Sequence, residues 1–148
     1  MAIRPSVASL EEIFELRWKV LRAGHPPDAA VFLEDTHPEV VHLAVRADDG
    51  PAVLGCLTLF PDSLPDLEVP AFRFRGMATA PDVRGEGYGV ALLDAATEEA
   101  AARGGEVLWC HGRLGAQGFY ERQGFTTMGE PFDIPDVGPH VVLLRKIN

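Results

Sequence analysis

Val83-Arg84-Gly85-Glu86-Gly87-Tyr88-Gly89 is the stretch on which the fold turns. It lies between residues 71–80, an extended run closed by Pro81, and residues 87–103, where Val90, Leu93, Ala96 and Ala100 recur at helical spacing until Gly104-Gly105 terminate the element. A strand therefore runs through a glycine-rich turn directly into a helix. At such a junction the first N–H groups of the helix converge on one point and carry the positive end of its dipole. Glycines at 85, 87 and 89 leave no Cβ to block a phosphate, so the loop reads as an anion site, the alternative being a tight turn whose glycines serve geometry alone. Two other phosphate loops are excluded: GxGxxG would need glycine where Val90 stands, and no GK[ST] follows.

Working outward, residues 106–111 form a short apolar strand, and strand, helix, strand in this order favours a right-handed parallel crossover. Residues 115–123 read as another helix. Residues 125–129 and 140–146 read as strands on either side of a turn-rich segment, 131–139. Upstream, Ser9-Leu10-Glu11-Glu12 has capping-box spacing ahead of Leu10, Ile13, Phe14 and Leu21, which predicts an amphipathic helix over 9–22, preceded by a short strand at 2–4. His25-Pro26-Pro27 breaks that helix. Residues 23–39 then read as an irregular loop bordering a cleft, with one helical turn around 28–32. Residues 40–46 and 52–60 read as a hairpin turning at Asp49-Gly50, followed by a loop over 61–70.

The chain of 148 residues fits one domain, 1–148, with no repeat, linker or low-complexity tract. Thirteen basic against 22 acidic residues give a net charge of -9, which repels nucleic-acid phosphates and anionic membranes. The opening residues lack the apolar stretch of a signal peptide and no later run is long enough to span a bilayer, so a cytoplasmic address is expected. Cys56 and Cys110 stand in apolar runs without CxxC spacing, as reduced core thiols do. The serines at 6, 9 and 63 build no GxSxG elbow. Cys110 and His111, as strand neighbours, face opposite ways and make a poor dyad. The histidines and cysteines show no HExxH or paired-cysteine spacing, so no metal is expected.

The RxxGxG spacing of Arg84, Gly87 and Gly89 resembles the signature of the GNAT superfamily of N-acetyltransferases. Downstream, residues 116–125, Ala-Gln-Gly-Phe-Tyr-Glu-Arg-Gln-Gly-Phe, are similar to the same family's A-x-x-x-Y-x-x-x-G-F. Gly129-Glu130-Pro131-Phe132 and Gly138-Pro139-His140 further resemble the ElaA-like branch, so the likeness covers residues 73–148 and upstream is one of element order. The resemblance implies an α/β (α+β mixed) domain whose mixed, centrally splayed β-sheet is flanked by helices. It also implies acetyl-CoA as co-substrate and a small-molecule amine as acceptor. Pantetheine would pair with Met77, Ala78 and Thr79 on the strand before the loop, and pyrophosphate would sit on Arg84 and the amides around Gly85, Gly87, Tyr88 and Gly89. A splayed strand pair suits this role because its unmade ladder bonds can be satisfied by an amide-containing arm.

Tyr120 matches the family tyrosine that donates a proton or hydrogen bond to the departing thiolate; otherwise it is a core aromatic with a satisfied hydroxyl. An alkylamine of pKa about 10.4 is only about one part in 2,500 neutral at pH 7, so attack needs a base, a water relay or desolvation. Some family members carry a glutamate thirteen residues before the loop arginine; here that position is Ala71. His111 and His140, ending one strand and starting another, are candidates with pKa values expected near neutrality, and Glu34 is a third at the substrate side. Arg75 can clamp a substrate carboxylate, or it and Arg73 form structural ion pairs. Arg113 replaces an asparagine common in the superfamily. Two readings stay beside acetyl transfer: an acyl-CoA-binding sensor without turnover, and use of another acyl donor. A homodimer through a sheet edge is compatible with the sequence.

Overall fold

The molecule is seen in a computed structural model that describes residues 3–47 and 50–147. Its seven strands form one sheet in the order β1-β2-β3-β4-β5-β7-β6, with β1 Ser6–Ala8, β2 Val41–Arg46, β3 Val53–Pro61, β4 Ala71–Thr79, β5 Val107–Arg113, β6 Thr126–Ile134 and β7 Gly138–Lys146. Every neighbouring pair is antiparallel except β4 and β5. The mixed α/β architecture expected from the sequence is the one observed.

Helix α1, Leu10–Leu21, opens with the capping box: the Ser9 hydroxyl accepts from the Glu12 amide at 3.1 Å and the Glu12 carboxylate accepts from the Ser9 amide at 2.8 Å. It lies on one face of the sheet, where Ile13 packs with Ala44, Cys56 and Ala78. Helix α2, Tyr88–Ala102, buries Leu92, Leu93, Ala96 and Ala100 against the other face. That face, with Leu57, Leu59, Phe72, Phe74, Leu108 and Leu143, carries the main core, and the short helix α3, Gln117–Arg122, adds Tyr120 to it. Alternation along each strand sorts the side chains: Phe74 and Cys110 point to the α2 side, while Arg73, Arg75 and His111 point to the α1 side.

Several expectations need correction. The first described strand is Ser6–Ala8, and Ile3 and Arg4 are not extended into a ladder; Ala2 and the turn residue Asp49 lie outside the described residues. The loop over 23–39 holds two 3-10 turns, Pro27–Ala30 and Leu33–Thr36, in place of one. Strand β5 runs on to Arg113. The segment 131–139, expected to be turns, is mostly ladder: β6 continues to Ile134 and β7 resumes at Gly138. Pro131 is tolerated because β6 is an edge strand and its register with β7 breaks between Met128 and Phe132.

Candidate active site

The single parallel junction creates the site. β4 and β5 pair only over Ala71–Val107, Phe72–Leu108 and Arg73–Trp109. Beyond these the strands separate, so residues 74–79 have no ladder partner on the β5 side. A bulge on the opposite edge of β4 adds to the divergence: between Cys56–Ala78 and Thr58–Arg75, β4 carries one residue more than β3. Gly76 stands there with φ 67°, and a Cβ at that position would sit 2.7 Å from the Phe32 ring. The sequence reading passed over Gly76, although a glycine inside a strand pattern is the usual mark of a bulge.

The result is a cleft of about 760 Å³ through the sheet between β4 and β5. Met77, Ala78, Thr79, Arg84, Gly85, Gly87, Tyr88, Gly89, Arg75, His111, Tyr120 and His140 all line it. Of the residues singled out in the sequence, Glu34 alone stands behind the wall, where its carboxylate accepts from Arg75 at 2.9 Å.

At one end of the cleft Gly87 caps α2 in the left-handed conformation, φ 91°, with no side chain on the helix start. The amides of the first turn are thus left to an external acceptor, beside the exposed Arg84. Gly89 also has a packing use. A Cβ there would come 3.2 Å from Phe119, so its bare backbone permits α2 and α3 to pack.

Across the α2 face Tyr120 is 8 % exposed, ringed by Phe74, Phe119 and Phe125 at centroid distances of 6.1, 5.3 and 5.5 Å. Burial, then the neighbouring Cys110 thiol, push its hydroxyl well above the usual phenol range, so it stays protonated. Burial likewise pushes the Cys110 thiol up to about 12, which suits a packed thiol and not a nucleophile.

On the α1 face the two histidines differ. Arg73 donates to His111 Nδ1 at 3.2 Å, which leaves the His111 proton on Nε2. Burial first, and then the Arg73 charge, lower His111 to about 4 instead of the near-neutral value expected, and so it is a weak base. His140 is buried, and its Nδ1 faces the Gly138 carbonyl at 2.8 Å. A carbonyl only accepts, so Nδ1 carries hydrogen and the neutral ring keeps its lone pair on Nε2. Phe132 lies between them, 5.0 Å from His111 and 6.3 Å from His140.

The arginines of β4 take the ion-pair arrangement, Arg75 with Glu34 at 2.9 Å and Arg73 with Asp62 at 3.6 Å. Ala71 is buried beside Val107 and Leu64 and is not among the residues lining the cleft.

Beneath the bulge lies a network invisible in the sequence. Arg17, fully buried, donates to both Asp35 oxygens at 2.8 and 2.9 Å, to the Ala30 carbonyl at 3.0 Å and to Thr58 Oγ1 at 2.6 Å. His42 Nδ1 meets the same Thr58 hydroxyl at 2.8 Å. Burial alone would raise the Asp35 carboxyl, and the Arg17 guanidinium outweighs it, holding it below the usual range. This ties the 3-10 turns to the sheet and seats Phe32, whose ring carries Arg17 at 4.0 Å and Arg75 at 3.8 Å.

Residues 10–125 match the acetyltransferase (GNAT) family. YitI of Bacillus subtilis (strain 168), an uncharacterized N-acetyltransferase, is 33 % identical over 141 residues, 95 % of this chain and 93 % of its own. A crystal structure from Lactobacillus plantarum superposes with TM-score 0.79 at 27 % identity, covering 98 % of this chain and 99 % of that one. Escherichia coli ElaA superposes with TM-score 0.77 over 97 % of this chain and 99 % of its own; at 18 % identity this speaks for the fold. The splayed β4 and β5, the bare α2 amides and these likenesses agree: the chain belongs to the acetyltransferase (GNAT) family and is an acyl-CoA-dependent acyltransferase.

Proposed function

We propose that this protein moves an acetyl group from acetyl-CoA directly to the amine of a small molecule. The observation that carries this reading is the unpaired β5-side edge of β4 leading to the uncapped start of α2. Backbone groups of Met77, Ala78 and Thr79 supply ladder bonds to the pantetheine amides, and Arg84 with the Gly85, Gly87, Tyr88 and Gly89 backbone receives the pyrophosphate. Pantetheine threaded between the strands brings its thioester between the Tyr120 side and the histidine side of the sheet.

On the histidine side His140 Nε2 accepts the amine proton, directly or through a water, while His111 offers Nε2–H as a donor. As the nitrogen bonds to the acetyl carbon and the C–S bond breaks, the Tyr120 hydroxyl donates a hydrogen bond to the leaving sulfur, and CoA departs as the thiolate, which takes its proton from solvent. Its raised pKa keeps the hydroxyl protonated, so it remains a hydrogen-bond donor to the thiolate as that forms. The reaction belongs in the cytoplasm, where Cys56 and Cys110 remain thiols.

The test is free-thiol release from acetyl-CoA with an amine panel, and mass spectrometry of the acetylated product. Amine-dependent release that falls with Tyr120→Phe supports the reading. Protein that binds acetyl-CoA yet never releases thiol contradicts it and is a binding module. A longer acyl-CoA used faster than acetyl-CoA would replace the donor, and the space beside Met77 and Cys110 is where it would fit.

A further inference from the structure

The molecule as a whole is acidic at -9, yet its cleft is lined by Arg22, Arg73, Arg75, Arg84 and Arg113 and, among the described residues, by no aspartate or glutamate. Arg84 stands at the α2 start. The other four gather on the acceptor side: Arg73 and Arg75 face α1 from β4, Arg113 pairs across the ladder with His140, and Arg22 follows the last turn of α1.

Like charges at such separation repel, and burial sharpens the cost. Burial first, then Arg75, Arg113 and Arg17, lower the Arg22 pKa, and burial with Arg75 does the same to Arg73. Asp62 and Glu34 balance Arg73 and Arg75 from behind. Arg22 and Arg113 have no ion pair among the described residues; Arg22 reaches only the Leu21 carbonyl at 2.9 Å. The glycine loop already supplies the donors for a pyrophosphate, so these two guanidiniums are surplus to it.

Resting on the acetyl-transfer reading, we infer that the acceptor is an anionic amine, one bearing a carboxylate or phosphate that Arg22 and Arg113 hold while its amino group faces His140. Guanidinium forks match both anions, and a site of this sign disfavours polycationic amines before chemistry begins. The anion also relieves the repulsion among the arginines, which makes binding of the acceptor favourable where a neutral amine gains nothing.

The experiment is steady-state thiol release at saturating acetyl-CoA with matched acceptors: amino acids against their amides, phosphoethanolamine against ethanolamine, and spermidine. The expected result is a kcat/KM at least about tenfold higher for the charged member of a pair, carried by KM and shrinking as salt is added. Arg113→Gln and Arg22→Gln each narrow that ratio; Arg113 is exposed, so its variant keeps the fold. The carboxylate and phosphate arms tell the two anions apart. Ethanolamine, amides or spermidine used as well as the charged acceptors would overturn the anion subsite and leave acetyl transfer standing. No thiol release with any acceptor, from protein that binds acetyl-CoA, would overturn both.

Discussion

At the scale of single residues, position in the sheet decides chemistry more than residue type does. Two histidines line one cleft, yet Arg73 takes the Nδ1 lone pair of His111 while the Gly138 carbonyl orients His140 the other way. The sequence placed both at strand ends but held nothing about their hydrogen bonds, so which ring nitrogen of each carries hydrogen was not legible. Tyr120 was legible, because its spacing to Gly124 and Phe125 belongs to a motif. Its hydroxyl can be removed with little loss of packing among Phe74, Phe119 and Phe125. Tyr120→Phe is expected to lower kcat about 10²-fold with a nearly unchanged melting temperature; an unchanged kcat would make it a core aromatic only. His111 binds its proton only near pH 4 when folded but near 6.5 when unfolded. Between those values the unfolded chain holds the extra proton, so stability is present above 6.5 and is lost as pH falls towards 4. A series of melts against pH checks this, and His111→Gln should flatten the slope in that window.

At the scale of elements, the glycine loop and the capping box of α1 could be read from the sequence because each is a local device, complete within seven residues or fewer. The β4 bulge left one mark, Gly76 inside a strand pattern. Its partners Phe32, Arg17 and Asp35 come from two other segments, and each alone looks like an ordinary loop or helix residue. The end of β6 was obscured for a related reason: Pro131 reads as a breaker unless the strand is known to be an edge with a register break. Two changes test the buried network. Asp35→Asn leaves the fully buried Arg17 without its counter-charge and is expected to cost about 3–5 kcal/mol in urea unfolding. Gly76→Ala forces a left-handed conformation on a residue with a Cβ pressed against Phe32, a cost of about 1–3 kcal/mol. Because Phe32 also supports Arg75, Gly76→Ala should raise KM for the acceptor as well. A variant as stable as the parent would mean the bulge is relaxed in solution.

At the scale of the whole molecule, one seven-stranded sheet carries both faces of the site, and among the described residues its one parallel junction is where it parts. We read residues 1–148 as one folding unit, which predicts a single cooperative melt. The net charge of -9 was legible as an argument against nucleic acid, but it concealed a cleft of opposite sign, since composition carries no placement. We propose the opening between β4 and β5, closed at one end by the α2 amides, as the acyl-CoA slot. A thermal-shift titration with acetyl-CoA, with CoA, NADH and ATP alongside, tests it most directly. At about a hundred times the dissociation constant, acetyl-CoA and CoA should stabilise the fold by about 2.7 kcal/mol, a rise of about 5–10 °C, while NADH and ATP leave it unchanged. No shift with acetyl-CoA or CoA, from folded protein, would contradict the account.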